Sequence, residues 1–112
     1  VGQAVATPGF NLPAAWVIHT VGPNRNAGQT DPALLRSAFD SSLGLARELG
    51  CSSVALPAIS AGVYGWDSRE VARIAVASAR EHAGTGEDDD WLIRFVLFSQ
   101  NLLQDFKHAL TQ

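Results

Sequence analysis

One stretch limits the fold more than any other. Val54-Ala55-Leu56 is followed by Pro57-Ala58-Ile59-Ser60-Ala61-Gly62-Val63-Tyr64-Gly65-Trp66 and then by Asp67-Ser68-Arg69-Glu70. The first run is too short and too apolar for a helix, so it reads as a buried central strand. Gly62 and Gly65 mark a loop, and Asp67 with Glu70 has the D-x-x-E spacing of a reciprocal helix cap. A strand, a glycine loop and a helix start are how many α/β proteins hold a phosphate. Backbone N–H groups left over at the helix N-terminus point at the ligand, and the helix dipole favours negative charge there. Ser60 adds a hydroxyl, and Tyr64 sets a flat face between the two glycines, suited to a sugar or base attached to the phosphate.

From the loop alone, the plain alternative that the glycines only shape a turn is equally open. The G-x-x-G spacing lacks the Lys-Ser/Thr of a triphosphate-binding loop and the full G-x-G-x-x-G of dinucleotide folds. It also lacks the basic surroundings of an RNA clamp. A formal net charge of −3 argues in the same direction, against duplex nucleic acid as a partner.

The flanking sequence fixes the class. Val1–Thr7 reads as a short strand closed by Pro8-Gly9, and Phe10–Ala15 as irregular. Ala15–Val21 reads as a β-prone strand ended by Gly22-Pro23. Asp31-Pro32 opens a helix on which Leu35, Phe39, Leu43, Ala46 and Leu49 recur at helical spacing, with Gly50 as its stop. A second helix follows Asp67, with Val71, Ile74, Ala75, Ser78, Ala79 and His82 on one side. Trp91–Ser99 reads as a third clear strand. Asn101 with Gln104 caps a last helix whose Leu103, Phe106 and Leu110 face inward. Strands alternating with helices predict a parallel-type sheet covered by helices, preceded by an extra strand pair.

Ligands of open α/β sheets sit beyond the carboxyl ends of the strands. Besides the Ser60–Gly65 loop, this singles out Phe98, Ser99 and Asn101, which can stack on and hydrogen-bond a purine. His19 reads as a core histidine with a backbone partner, and Cys51 as a small hydrophobe beside a strand. Glu87–Asp90 reads as a solvated acidic loop rather than a calcium site. No His, Cys, Asp or Glu set has metal-ligand spacing, so neither a metal nor a cofactor is expected. No catalytic set emerges from spacing.

The 112 residues bound the chain to one domain, 1–112, and 46% hydrophobic content supplies a core. No apolar run approaches the roughly 20 residues that span a bilayer. A single cysteine favours a reducing compartment, hence the cytoplasm. The chain has no Met and opens at Val1, which predicts a processed product or a piece of a longer chain.

Three segments together carry a resemblance. They are Gly2-Gln3-Ala4-Val5-Ala6-Thr7-Pro8-Gly9-Phe10-Asn11-Leu12-Pro13, then Trp16-Val17-Ile18-His19-Thr20-Val21-Gly22-Pro23, then Leu56–Gly65. With the Phe95–Phe98 run, their order resembles the macrodomain family of ADP-ribose-binding modules, covering the later two-thirds of a typical member. The resemblance implies a three-layer α/β/α sandwich with a mixed sheet and an ADP-ribose cleft over the strand ends. Ser60, Ala61, Gly62, Val63, Tyr64 and Gly65 would wrap the pyrophosphate and distal ribose. Phe98, Ser99 and Asn101 would approach the adenine. Implied partners are ADP-ribose or an ADP-ribosylated protein.

The sequence departs from that family in lacking its first segment, which normally carries the adenine-reading acid and an Asn- and Gly-rich loop with the hydrolases' catalytic groups. Ala61 also stands where Thr is common, and Trp66-Asp67 where an aromatic-Pro pair is common. Binding is therefore expected ahead of hydrolysis of ADP-ribosyl or O-acetyl-ADP-ribose bonds, and a non-binding structural remnant is the third alternative. Without the first segment, apolar strand edges would stay open, so a second copy or a complementing segment is expected to close them.

Overall fold

The computed structural model describes residues 1–9, 15–83 and 91–111. The acidic turn read at 84–90 and most of the irregular stretch at 10–15 lie outside the described residues. The elements in order are β1 (Ala4–Pro8), β2 (Trp16–Thr20), a 3-10 turn (Arg25–Ala27), α1 (Pro32–Glu48), β3 (Ser53–Leu56), α2 (Ser68–His82), β4 (Leu92–Phe95) and α3 (Gln100–Leu110).

Helix α1 forms as its sequence dictates. Asp31 accepts from the Ala33 N–H at 3.0 Å and Pro32 occupies the first turn, where its missing N–H costs nothing. Leu35, Phe39, Leu43 and Ala46 are fully buried. At the far end Gly50 N–H donates to Arg47 C=O and Cys51 N–H to Ala46 C=O, the paired bonds that close a helix through a left-handed residue. Helix α2 packs against both α1 and α3. Phe95 of β4 meets Phe39 of α1 edge-on at 6.3 Å and Phe106 of α3 at 5.0 Å, so both helices lie on one side of that strand.

Two cap readings are corrected. Asp67 sits at the N-cap of α2 but makes no side-chain cap bond. Glu70 turns instead to Arg25 at 3.6 Å and Arg73 at 3.5 Å, because an arginine partner offers a full opposite charge where the cap offers one amide. Helix α3 starts two residues earlier than read, at Gln100. Its N-cap is Ser99, accepting from Leu102 N–H at 3.2 Å, not Asn101. Phe106 faces inward as read, but with Leu102 and Ala109 rather than Leu103 and Leu110, which lie at the surface.

The strands form two separate pairs. β1 and β2 are antiparallel with Val5 opposite His19, and β3 and β4 are parallel with Val54 opposite Ile93. Val54, Leu56, Ile93 and Phe95 pack toward the helices, while Ser53, Ala55, Leu92 and Arg94 face outward. Sequence reads Val54-Ala55-Leu56 as a buried central strand; among the described residues β3 has one hydrogen-bonded neighbour, β4, and one face covered by helices. The strand read at Trp91–Ser99 is likewise only Leu92–Phe95. Its partner ends at Leu56, where Val96 N–H makes the final ladder bond at 2.9 Å and Pro57 follows. His19 is exposed and shares a 2.9 Å hydrogen bond with the Thr7 hydroxyl, not with backbone, because it points to the face that carries no helix.

Helices α1 and α2 are tied by a polar cluster. Asp40 accepts from Arg36 at 3.0 Å and from the buried Ser78 hydroxyl, and lies 3.2 Å from His82 Nε2. Burial alone would raise the Asp40 carboxyl, but the bonds from Ser78 and Arg36 outweigh it and hold the group below its ordinary value. Arg36 also pairs with Glu81 of α2.

Candidate nucleotide cleft

The loop after β3 is built from a tight turn. Gly65 N–H donates to Gly62 C=O at 2.9 Å, and both glycines have φ near +80°. A β-carbon at Gly65 would lie 2.4 Å from Asn26 Oδ1, so a side chain here would displace the Asn26 amide as well as strain the backbone. Gly62 is different: among the described residues a β-carbon there would meet Phe98 Cζ alone, at 3.8 Å. The N–H groups of Val63 and Tyr64 find no partner among the described residues. Val63 forms the tip, 88% exposed.

The loop is held from below by the segment that follows β2. Arg25 N–H donates to Tyr64 C=O at 2.9 Å, and Asn26 Nδ2 donates to Val63 C=O at 3.1 Å. The Arg25 guanidinium lies 5.3 Å from the centre of the Trp66 ring, a cation over an aromatic face. Trp66 is 3% exposed, and its Nε1 donates to Pro23 C=O at 3.0 Å. The same carbonyl accepts the Ser60 hydroxyl at 2.8 Å. Nothing in the spacing of Asn26 or Arg25 marks them as part of this loop. The only sequence signal was a polar run after a Gly-Pro strand stop.

The residues singled out from sequence divide into three groups. Ala61, Gly62, Val63 and Gly65 shape the turn itself, with Ala61 bridged to Trp66. Ser60, at φ 69°, spends its hydroxyl proton on Pro23, and Tyr64 is half-buried against the core, so both brace the loop from beneath. Phe98, 74% exposed, comes down beside Gly62 from the end of β4, which joins the two stretches that sequence placed 36 positions apart. Ser99 lies next to it in a cavity of about 450 Å³ lined by Phe95, Leu97, Phe98, Ser99, Gln100 and Leu103. Asn101 is exposed on the first turn of α3 and does not line this cavity.

A larger cavity, about 840 Å³, does not centre on the loop. It lies between β2 and β3, with Ser42 and Ala46 of α1 among its lining, and reaches the loop only through Pro57 and Ile59. No group of three or more His, Cys, Asp or Glu side chains among the described residues is placed to hold a metal ion.

The comparisons with known proteins bear on this geometry. The family model described as Macro domain matches residues 1–75. A macro domain-containing protein of Streptomyces griseus is 44% identical over 109 residues, 97% of this chain and 60% of that protein. Another, from Streptomyces coelicolor, is 47% identical, over 97% of this chain and 62% of its own length. The chain therefore spans about 60% of the length of these relatives. Among solved structures, the Oceanobacillus iheyensis macrodomain with ADP superposes with a TM-score of 0.83 at 34% identity, over 98% of this chain and 57% of that one. The Trypanosoma brucei macrodomain in complex with ADP-ribose does so with a TM-score of 0.85 at 29% identity, over 97% and 45%. A glycine turn after a parallel strand, an aromatic ring beside it and these likenesses agree: the chain belongs to the Macro domain family.

Proposed function

We propose that this chain contributes the phosphate-facing wall of a cleft that binds ADP-ribose, free or attached to a protein. The observation that carries the reading is the meeting of the Gly62–Gly65 turn with Phe98 beyond the ends of β3 and β4. Macrodomains of the same fold have been crystallised with ADP and with ADP-ribose. In this reading the free Val63 and Tyr64 N–H groups receive the pyrophosphate, which needs donors rather than a positive side chain. Phe98 offers its exposed ring to the adenine.

Binding is preferred to hydrolysis as the role of this chain. From Pro57 to Trp66 the one titratable side chain is Tyr64, and it is packed against the core. Groups that would activate a water for hydrolysis would have to come from outside these residues. A reducing, cytoplasmic setting suits the single cysteine. No described helix is long and apolar enough to cross a membrane.

The test is calorimetric titration of ADP-ribose into the domain that contains this chain. Saturable one-to-one binding is expected, lost in Gly62→Glu, whose carboxylate would meet the pyrophosphate. Absence of binding by the unsubstituted domain would sink the reading.

A further inference from the structure

We infer, resting on the nucleotide reading above, that Asn26 is a positioning residue of the cleft. Its side-chain amide fixes the Val63–Tyr64 peptide in the orientation that turns the Tyr64 N–H outward, toward a phosphate.

The turn from Gly62 to Gly65 contains three peptide units, and each is pinned differently. A trans peptide points its C=O and its N–H in opposite directions, and the described peptides are trans. In the first unit, Gly62 C=O accepts from Gly65 N–H at 2.9 Å, which sends the Val63 N–H out of the turn. In the third, Tyr64 C=O accepts from Arg25 N–H at 2.9 Å while Gly65 N–H makes the turn bond, so both ends are used. In the middle unit, Val63 C=O accepts from Asn26 Nδ2 at 3.1 Å, and Tyr64 N–H is left facing the other way. Among the described residues the middle unit makes no other hydrogen bond, so Asn26 is its one anchor.

The middle unit is also what separates the two common turn types. Rotating it by about 180°, with its neighbours unmoved, converts type I to type II. That rotation would bring Val63 C=O to the cleft and turn Tyr64 N–H toward Asn26. The group offered to a phosphate would change from a donor to an acceptor, and its partial charge from positive to negative. Two residues resist the change. Type II demands a positive φ at Tyr64, and Ser60 alone has one among the described non-glycine residues. Asn26 resists it by chemistry. A carbonyl only accepts, so the amide nitrogen is the end that meets Val63, and after rotation that nitrogen would face an N–H.

The Asn26 side chain is not needed to build its own segment. Asn24 Oδ1 accepts from the Asn26 backbone N–H at 3.1 Å, Gln29 Oε1 accepts from Asn24 N–H at 2.7 Å, and Gln29 N–H donates to Asn24 C=O at 3.1 Å. Arg25 fastens the same segment to Trp66 and Glu70. The missing β-carbon of Gly65 makes the room for the Asn26 amide, whose Oδ1 lies 2.4 Å from where that carbon would be. A glycine and an asparagine 39 positions apart thus share one space.

The test has one arm without nucleotide and one with it, both in the domain that contains this chain. Asn26→Asp keeps the shape but exchanges the donor for an acceptor, so its carboxylate repels Val63 C=O and invites Tyr64 N–H. In the unsubstituted domain the NOE between the Val63 and Tyr64 amide protons should be strong, as a type I turn requires. In Asn26→Asp it should give way to a strong NOE from Val63 Hα to the Tyr64 amide, the mark of type II. Affinity for ADP-ribose, measured at high salt so that the new charge is screened, should fall roughly tenfold or more. Uncharged Asn26→Leu should show both NOE patterns together and lose less affinity. Should Asn26→Asp lose its helical circular dichroism, Asn26→Leu decides by the same two readouts. NOE patterns unchanged in the folded variants overturn the inference, because a merely structural role predicts them. So does a rotated peptide that leaves affinity unaltered, or a Tyr64 amide resonance in the unsubstituted domain that does not move as ADP-ribose binds. If the unsubstituted domain binds no ADP-ribose, the nucleotide reading fails, and the NOE arm still decides whether Asn26 aims the peptide.

Discussion

Helices and strands are finished to different degrees in this molecule. Helix α1 buries Leu35, Phe39 and Leu43 completely, closes both its ends with named hydrogen bonds, and is locked to α2 through Asp40. Among the described residues the strands, by contrast, stand in two pairs whose second face no described helix covers, and Val5, Leu92, Val96 and Phe98 are exposed. Stability and the proposed cleft thus rest on different regions. The helical layer supplies the core, and the strand ends supply the loop and the ring of the cleft.

Substitutions can test that division. Phe39→Ala removes a ring packed against Phe95 and should cost about 3–5 kcal/mol, read from denaturant unfolding. A smaller loss would mean that the helical layer is looser than its burial indicates. Gly65→Ala meets both Asn26 and a positive φ and should cost about 1–3 kcal/mol. It should also weaken ADP-ribose binding at least tenfold, because the turn that presents Val63 and Tyr64 is displaced.

Asp40→Asn should cost about 1 kcal/mol, the cluster being partly solvated. Its signature is in pH. The folded-state carboxyl titrates below its ordinary value. Its contribution is therefore present above the unfolded value of about 4 and is lost as pH falls through the lower folded one. The unsubstituted chain should lose stability across that acid range, and Asp40→Asn should flatten that part of the profile. At the small end, Val5→Ser on the bare face should change stability by no more than about 0.5 kcal/mol in the chain alone. An equal loss from Val5→Ser and Phe39→Ala would erase the distinction between the two regions.

Much of this was legible in the residues. Apolar spacing placed α1 and its buried face, and a Gly-x-x-Gly after an apolar run placed the turn. What sequence misread shares a cause: each case turned on neighbours rather than on local preference. Asp67 and Glu70 have cap spacing, but Arg25, 45 positions before Glu70, takes the glutamate. His19 has strand propensity around it, yet which face of the strand is covered is decided by where α1 lies. Within the cleft, Gly62 and Phe98 could each be named from sequence. Asn26 could not, because its role rests on a long-range bond to the Val63 carbonyl.

The Pro23 carbonyl serves two donors, Ser60 and Trp66, and stands between the end of β2 and the base of the loop. One acceptor shared in this way makes the separation of β2 from β3 and the posture of the loop a single mechanical variable. Thermodynamic reciprocity then binds the two. A ligand that holds the loop in one posture must also hold β2 and β3 at one separation, and a substitution that alters the separation must change the ligand's affinity in equal measure.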